Sequence, residues 1–565
     1  MDPRLRERMA RRLAFVYGPQ ADGLLAAVEA LIDRYAGRIA ARPAGWSERD
    51  AFLITYGDSL LGARPPLQEL HGCLRDRVGP LLSFVHLLPF YPYSSDDGFA
   101  VQDFRQVRPD LGEWSDVAAM AGDFRLVFDG VINHVSASSV YMREYCAGNP
   151  DYADFFLALD PATDTSAVLR TRNLPLLHDY ETTAGKKWLW TTFSSDQADL
   201  NFWNPRVLLE ILDVLLFYAE KGASMVRLDA IPYLWKQLGT SCAHLPQTHE
   251  LIRLIRDVYD AAAPHVLLLT ETNVPHRENI RYFGEGGDEA QMIYNFSLAP
   301  LILWSLHKGD ARVLSRWAQE IRPVGERATY LNITATHDGI GMRPTEGILS
   351  EPERAELVQL ARDHGGDITG KRNPDGSVSP YELNLNYFDA GNDPRAAEPL
   401  DLQVRRFLVS QAIPMALLGM PGIYIHSLLG SRNYTAGVKA TGRARTINRE
   451  QLQVAALTRD LADPASLRAQ VFGEMTRLLR IRREQPAFHP QAEQRVLDLG
   501  PQVFAVGRHA RASGDRILAL HNVSASGVAV RLPAANRTKV WRDLLTGENV
   551  GSPVPLAPYQ VRWLR

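Results

Sequence analysis

The chain has 565 residues, of which 45% are hydrophobic and 22% are charged, and its formal net charge is −3. This composition is typical of a globular protein with a large core, and the weak charge gives no reason to expect nucleic acid or an anionic membrane as a partner. The three cysteines (Cys73, Cys146 and Cys242) are an odd number in a long chain, which argues against a disulfide framework and favours the reducing cytoplasm.

The chain begins with a helical pattern. Apolar positions recur at three- and four-residue steps in ADGLLAAVEALIDRYAGRI, which predicts a helical extension over residues 1–48. The first residues, MDPRLRERMARRLAFVYG, mix acids with bases and do not have the pattern of a secretory signal. The apolar stretch 413–430 is interrupted by prolines and glycines, so we predict no membrane span.

Eight short apolar runs follow the extension. They are nearly continuous, as in strands buried on both faces of a parallel sheet, and helical patterns such as RVLLEILDVLLFYAEKG lie between several of them. Strand alternating with helix predicts an α/β fold, and eight such strands predict a (β/α)8 TIM barrel. The predicted strands are AFLITYGD (51–58), FVHLLPF (84–90), LVFDGVINH (126–134), SMVRLDA (224–230), HVLLLTET (265–272), QMIYNFS (291–297), TYLNITATHD (329–338) and GIYIHS (422–427).

Two intervals between these strands are too long for simple crossovers, and long excursions of this kind often carry function. Short alternating runs such as QVFAVGRH near the C-terminus predict a small β domain. The predicted division is a helical extension (1–48), a barrel (49–134, 204–338 and 401–488), a first insertion domain (135–203), a second insertion domain (339–400) and a C-terminal β domain (489–565).

Polar residues end several of the predicted strands. Because the C-terminal ends of barrel strands converge on one mouth, we expect one arginine and three carboxylates to crowd together there. A single acid at a strand end is usually a cap or a solvated loop charge, but four such ends favour a functional cluster. The residues are Asp129, Asn133 and His134 on the third strand, Arg227 and Asp229 on the fourth, Glu271 on the fifth, and His337 and Asp338 on the seventh.

Paired carboxylates suit the cleavage of an acetal. One acts as nucleophile or base, and the other, with a raised pKa, donates a proton to the leaving oxygen. Side chains alternate along a strand, so Arg227 and Asp229 in MVRLDA share a face. We therefore expect Arg227 to keep Asp229 ionised and to fix its orientation as a nucleophile.

Four segments then identify a family. DGVINH, VRLDA, TET and THDG, in this order, resemble the four signature regions of the alpha-amylase superfamily (glycoside hydrolase family thirteen), over residues from about 50 to 565. The resemblance implies a retaining double displacement in which Asp229 is the nucleophile, Glu271 the general acid/base and Asp338 the transition-state stabiliser. His134 and His337 match sugar-binding histidines of the family.

Further segments resemble the sucrose phosphorylase subfamily. They are HLLPFYPYSSDDGF (86–99), GTSC, THDGIG and GRARTINR. The resemblance implies that Asp96 and Arg445 hold the far side of a glucose ring. It also implies that Phe99, Phe193, Gln197 and Tyr233 form its platform and pocket, since an aromatic plate and bidentate polar groups suit a single pyranose. For Phe99 or Phe193 alone, ordinary core packing is the commoner role.

A narrower resemblance is to the glucosylglycerate phosphorylase branch. It is carried by SSDDGF, WTTFSSDQADLN, TETNVPHRENI, NPDGSVSPYELN and LGSRNYTAGV. It implies reversible phosphorolysis of 2-O-(α-D-glucosyl)-D-glycerate to α-D-glucose 1-phosphate and D-glycerate. Arg172 and Tyr381 match residues of the phosphate and acceptor subsite, and we assign Glu382 to the same subsite. The arginine fork suits a phosphate or a carboxylate.

The partners implied are small molecules: a glucoside, inorganic phosphate as co-substrate, and glucose 1-phosphate. We expect no metal and no organic cofactor, because the sequence shows neither a cluster of oxygen ligands nor a phosphate loop or dinucleotide motif. The sequence is also compatible with a homodimer.

Other functions remain open from the sequence. A sucrose phosphorylase or a glucosylglycerol phosphorylase would differ only in the acceptor loops. An α-glucosidase or transglucosidase would form the same glucosyl–Asp229 intermediate and release it to water or a sugar. A non-catalytic binding subunit usually lacks the three carboxylates, which this chain keeps.

Overall fold

A closed barrel of eight parallel strands forms the centre of the molecule, in a computed structural model that describes residues 1–170, 172–373, 375–533 and 540–565. Each strand pairs with its neighbours in chain order, and the last strand closes the barrel on the first through Phe52 opposite Gly422. This arrangement confirms the predicted (β/α)8 barrel. The strands are β1 (Phe52–Thr55), β2 (Phe84–Leu87), β3 (Arg125–Gly130), β4 (Ala223–Leu228), β5 (Leu267–Thr270), β6 (Met292–Tyr294), β7 (Thr329–Ile333) and β8 (Met420–Tyr424).

The apolar runs form strands because both of their faces are covered. Every residue of β4 is buried, including Arg227, which is only 2% exposed. The helix before β4, Pro205–Glu220, begins where the Asn204 side chain accepts a hydrogen bond from the Arg206 N–H at 3.0 Å and proline occupies the first turn. Its apolar stripe packs against the barrel wall, as a helix of this pattern requires.

The helices that the structure describes have the following bounds: Pro3–Tyr17, Ala21–Tyr35, Pro66–Val78, Trp114–Asp123, Val140–Cys146, Pro205–Glu220, Pro246–Ala262, His276–Asn279, Leu298–Lys308, Arg312–Glu320, Glu351–Asp363, Tyr387–Gly391, Leu400–Ala416, Ile425–Leu428, Thr435–Thr441, Val454–Ala462 and Leu467–Arg482. In the described ranges, none of them is long and apolar enough to cross a membrane.

Two of these helices make up the N-terminal extension, Pro3–Tyr17 and Ala21–Tyr35, and residues 36–48 are not helical. The extension is fixed to the outside of the barrel by charge pairs. Arg12 binds Asp257 at 2.7 Å and Glu250 at 3.1 Å, and both acids lie on Pro246–Ala262. The extension therefore packs on helices that surround the barrel.

Short strands outside the barrel belong to the excursions and to the C-terminal region, apart from the parallel pair Leu60–Leu61 and Leu452–Gln453. A four-stranded antiparallel sheet near the C-terminus consists of Glu493–Asp498, Val503–His509, Arg516–Asn522 and Val561–Leu564. The others are Leu60–Leu61, His134–Ser136, Leu177–Thr182, Gly185–Trp190, Gln197–Asp199, Ile340–Gly341, Asp367–Arg372, Val378–Asn384, Leu452–Gln453, Val528–Val530, Trp541–Arg542, Asn549–Val550 and Val554–Leu556.

The third barrel strand is shorter than predicted. The sequence pattern extended it to His134, but β3 ends at Gly130. His134 instead begins the strand His134–Ser136, which pairs antiparallel with Gln197–Asp199. The apolar run is continuous, but the chain leaves the barrel wall after Gly130 to meet the residues that return from the first excursion.

Candidate active site

The C-terminal mouth of the barrel holds a cavity that opens to solvent. The residues assigned to catalysis and to the sugar, phosphate and acceptor subsites line it, apart from Arg227, although they are spread over the sequence between residues 96 and 445. The lining side chains among them are Asp96, Phe99, His134, Arg172, Phe193, Gln197, Asp229, Tyr233, Glu271, His337, Asp338, Tyr381, Glu382 and Arg445. Asp129 and Asn133, which also end a predicted strand, are not among the lining residues.

The three acids are held at fixed points around the mouth. Asp229 follows β4 directly and its N–H donates to the Gly130 carbonyl at 3.1 Å, while the Glu271 N–H, just after β5, donates to the Leu228 carbonyl at 3.1 Å. The ladder of barrel hydrogen bonds therefore continues one residue beyond each strand. Asp338 lies on the segment after β7, where its N–H donates to the Thr336 hydroxyl at 3.1 Å.

Arg227 lies beneath the cavity and joins two carboxylates. Its Nη1 donates to Asp229 Oδ1 at 2.9 Å and also to Asp129, which in turn contacts His86 Nε2 at 2.7 Å. All four side chains are almost completely buried. Asp129 therefore fixes Arg227 from below, and Arg227 fixes one oxygen of Asp229, which leaves the other oxygen of Asp229 available toward the cavity.

Burial in the cavity raises the pKa of Asp229 and that of Glu271 to about 7 each, and Arg227 opposes the rise in both cases. The charge on Asp229 raises the pKa of Glu271 further. Only Asp229 accepts a close hydrogen bond from the arginine, whereas Glu271 has a longer contact, 3.4 Å, with the Ala230 N–H. A single proton shared by this pair therefore resides on Glu271, and Asp229 is the ionised partner.

Asp338 has the opposite electrostatic environment. Burial alone would raise its pKa, but Arg445, His337 and Arg449 together lower the pKa below its ordinary value. The Arg445 Nη1 lies 2.7 Å from Asp338 Oδ1, and the Arg445 Nη2 lies 2.7 Å from Glu382 Oε1. Arg445 thus joins the barrel mouth to the hairpin of the second excursion, and Asp338 remains ionised near neutral pH.

Aromatic side chains form the floor and one wall of the cavity. The Phe99 ring stacks on His337 with centroids 4.9 Å apart, and Phe193 meets Tyr233 edge to face at 5.9 Å. His134 Nε2 contacts the Phe99 carbonyl at 2.9 Å. Both phenylalanines are therefore cavity residues and not only core packing. A cavity with a flat aromatic floor and acids around it fits one pyranose ring.

A second layer of charge, which the sequence reasoning did not single out, orients the Asp96 loop. Asp96 and Asp97 both have left-handed backbone, with φ of 54° and 48°. Asp97 is bound by Arg443 at 3.0 Å and Arg449 at 2.5 Å, and Asp96 accepts from Gln197 at 3.1 Å. Two sequence features could have indicated these ion pairs. One is the pair of aspartates before glycine in SSDDGF, and the other is the group of arginines in GRARTINR, which is far away in the sequence.

The Arg172 guanidinium lies over two rings of the cavity wall. Its central carbon is 5.6 Å from the Phe193 centroid and 5.4 Å from the Tyr381 centroid. Cation–π contact holds the charge at the rim on the side of Tyr381. The three residues that follow Glu271 (Thr272, Asn273 and Val274) line the same side, and their position directly after a strand end was the signal that could have predicted them.

A buried lysine joins the first excursion to the barrel. The Lys236 ammonium donates to Asn133 Oδ1 at 3.1 Å and lies 2.8 Å from Asp199 Oδ2. Asp199 also accepts from the N–H and hydroxyl of Thr192. Among the described residues, no group of three or more His, Cys, Asp or Glu side chains is arranged to hold a metal ion.

Comparison with known proteins agrees with this geometry. Residues 82–333 match the family model described as the alpha amylase catalytic domain. The chain is 46% identical over 566 residues to a glucosylglycerate phosphorylase of Allomeiothermus silvanus, covering 100% of this chain and 99% of the relative. It is 42% identical to a glucosylglycerate phosphorylase of Escherichia coli, with 92% of each chain covered.

More distant relatives share the fold. A sucrose phosphorylase of Agrobacterium vitis is 30% identical over 80% of this chain and 91% of its own. The crystal structure of sucrose 6F-phosphate phosphorylase from Thermoanaerobacter thermosaccharolyticum superposes with a TM-score of 0.74 at 24% identity, over 92% of this chain and 100% of that one. The fold, the three-acid cavity and these relatives together define a retaining enzyme of the glycoside-transferring class. The chain belongs to the alpha-amylase family, within the group that contains the glucosylglycerate and sucrose phosphorylases.

Proposed function

We propose that the chain catalyses the reversible phosphorolysis of 2-O-(α-D-glucosyl)-D-glycerate, which gives α-D-glucose 1-phosphate and D-glycerate with retention of configuration. The observation that carries this proposal is the similarity to three glucosylglycerate phosphorylases, at 42% to 46% identity over 92% or more of this chain. The sucrose and glucosylglycerol phosphorylases are more distant, at 24% to 30% identity.

The reaction takes place in two displacements. The ionised Asp229 attacks the anomeric carbon, while Glu271 gives its proton to the departing glycerate oxygen. Phosphate then attacks the glucosyl ester, Glu271 takes up the proton of the attacking oxygen, and Asp229 leaves. Asp338, held ionised by Arg445, stabilises the positive charge that develops on the ring in both steps.

The glucose ring occupies the inner part of the cavity. We assign Phe99 and His337 to its aromatic floor, and Asp96, His134 and Gln197 to its hydroxyl groups, because their polar atoms are close together on that side. Phe193 and Tyr233 form the wall toward the entrance. Arg445 completes this subsite as the partner of Asp338, and Arg227 acts from below by orienting Asp229.

Phosphate and acceptor share the outer part of the cavity. Arg172 supplies positive charge there, and the neighbouring Tyr381 hydroxyl supplies a donor. Glu382 takes part through Arg445, to which its carboxylate is bound at 2.7 Å. Nucleophile, proton donor and stabilising charges are all side chains of the cavity, so we propose that phosphate is the co-substrate and that no further cofactor is required. The three free cysteines support a reducing, cytoplasmic compartment.

Arg172→Ala tests the phosphate subsite. We expect the KM for phosphate to rise by roughly 10- to 100-fold, since one charge-assisted contact to the anion is lost, while slow hydrolysis of the glucosyl intermediate is spared. The measurement is initial phosphorolysis rate against phosphate concentration, with glucose release followed in parallel. A matched control is Arg206→Ala, because Arg206 is a surface arginine that pairs with Asp151. An unchanged phosphate dependence would place phosphate elsewhere.

Reverse synthesis tests the function as a whole. The enzyme is incubated with α-D-glucose 1-phosphate and, separately, D-glycerate, glycerol, D-fructose or water, and phosphate release is followed. Fast release with glycerate alone is the expected result. Fast release with glycerol or fructose instead would move the protein to a sister specificity. Release that is independent of every acceptor would identify a hydrolase and refute the phosphorylase proposal.

A further inference from the structure

A buried arginine beside the active site lacks a close partner. Arg343 is 7% exposed and lies in the short turn Arg343–Thr345, just after the strand Ile340–Gly341. Its nearest carboxylate in the described chain, Glu346, is 3.9 Å from its Nε, beyond hydrogen-bond distance, and that Nε is buried without a hydrogen bond. A buried guanidinium nitrogen without a hydrogen bond is destabilising, and such groups cluster where a ligand completes them.

The backbone just before Arg343 packs against two residues of the cavity wall. The Met342 N–H donates to the carbonyl of Tyr381 at 2.9 Å. Gly341 approaches Asn273 so closely that an added Cβ would lie 2.5 Å from the Asn273 Oδ1, which is itself buried without a partner. Tyr381 and Asn273 both line the cavity. Arg343 therefore comes directly after Gly341 and Met342, which pack against residues on the outer, acceptor side of the cavity.

The charge of Arg343 acts on that side of the cavity. Burial raises the pKa of the Tyr233 phenol to about 12, and Arg343 counteracts this rise more strongly than Arg172 does. The same phenol is influenced by Glu271, the proposed proton donor to the leaving oxygen. Tyr233 lines the cavity, and its phenol is thus influenced by both the proton donor and Arg343.

We propose that Arg343 binds the carboxylate of D-glycerate, an assignment that rests on the proposed function. In glucosylglycerate the carboxylate is one carbon from the carbon that carries the glycosidic oxygen, so its binding group must be close to Glu271. A guanidinium matches a carboxylate through two parallel hydrogen bonds. Arg172 then serves phosphate, and the two anions have separate arginines. Neutral acceptors such as glycerol leave Arg343 unpaired, which disfavours them.

Paired acceptors of nearly equal size test this assignment. Reverse synthesis from α-D-glucose 1-phosphate is measured with D-glycerate and with D-glyceramide, its neutral amide, in the wild type, Arg343→Gln and Arg343→Lys. We expect the wild type to prefer glycerate in kcat/KM by roughly 10- to 100-fold, the size of a charge-assisted contact, and Arg343→Gln to lose that preference. Arg343→Lys should retain part of it, because lysine keeps the charge but not the fork.

Two controls separate this role from others. Arg354→Gln changes an arginine of the next helix that pairs with Glu351, and it should keep the wild-type preference. The KM for phosphate, measured with α-D-glucosyl fluoride as donor, should be unchanged in both Arg343 variants.

Two results would overturn the assignment. Equal losses with glycerate and glyceramide in both variants would make Arg343 a structural residue. A raised KM for phosphate with an intact glycerate preference would assign it to phosphate. Failure of the proposed function is a different result, visible in the wild type alone as transfer to glycerol or fructose but not to glycerate.

Discussion

Replacement of Asp229 by alanine should abolish phosphorolysis and reverse synthesis together. In the proposed mechanism both directions pass through a covalent bond between the anomeric carbon and this carboxylate, which is the residue directly after β4. We expect kcat to fall by roughly 10⁴-fold or more, as in other enzymes that lose a nucleophile. The measurement is release of phosphate from glucose 1-phosphate with glycerate, and release of glucose 1-phosphate in the opposite direction.

A small external anion distinguishes loss of chemistry from loss of fold in this variant. Azide can enter the space left by the Asp229 side chain and attack α-D-glucosyl fluoride, which forms β-D-glucosyl azide with inversion. Asp179→Ala is the matched control, because Asp179 is an exposed aspartate paired with Lys186. Wild-type turnover in the Asp229 variant would remove Asp229 from the role of nucleophile.

Replacement of Glu271 by glutamine should affect substrates according to their leaving group. Glycerate departs as an alkoxide and needs a proton, so we expect a loss on the order of 10²- to 10⁴-fold. Fluoride departs with little assistance, so formation of the glucosyl intermediate from α-D-glucosyl fluoride should be nearly unaffected. Presteady-state release of fluoride and of glycerate measures the two cases separately. Equal losses for both would argue against an acid role.

The pH dependence of the same step gives a second readout. Burial, together with the charge of Asp229, raises the pKa of Glu271 to about 7, and the acid must be protonated to act. Release of glycerate by the wild type should therefore decline as pH rises through about 7, because the proton donor is lost. This alkaline decline should be absent in Glu271→Gln and present in Glu278→Gln, a half-exposed glutamate on the following helix.

The barrel and the position of its acids were predictable from sequence, because the apolar runs mark the strands and the polar residues mark where the strands end. Strands buried on both faces are apolar throughout, so the first polar residue marks the strand end, and in a barrel all such ends meet. Asp229 and Glu271 follow their strands directly and were placed correctly at the mouth. His134 shows the limit of this reasoning, because an apolar run does not reveal where a chain leaves the barrel wall.

The ion pairs of the site could not be predicted in the same way. The contact between Arg445 and Glu382 joins residues 63 positions apart, one in the segment after β8 and the other in the hairpin of the second excursion. The contact between Arg449 and Asp97 spans 352 positions. Neither loop has a periodicity that fixes its path, so the partners are known only once both loops are folded. Arg343 was missed because nothing in THDGIGMR shows that its arginine is buried.

Lys236 has a consequence for how the first excursion is kept in place. The positive charge between Asn133 and Asp199 belongs to a side chain, so it cannot dissociate and its occupancy does not depend on the concentration of any ion. The wall that carries His134, Phe193 and Gln197 is thereby anchored by a permanent internal counterion. Removal of small ions from the surroundings should therefore leave this contact between the first excursion and the barrel in place.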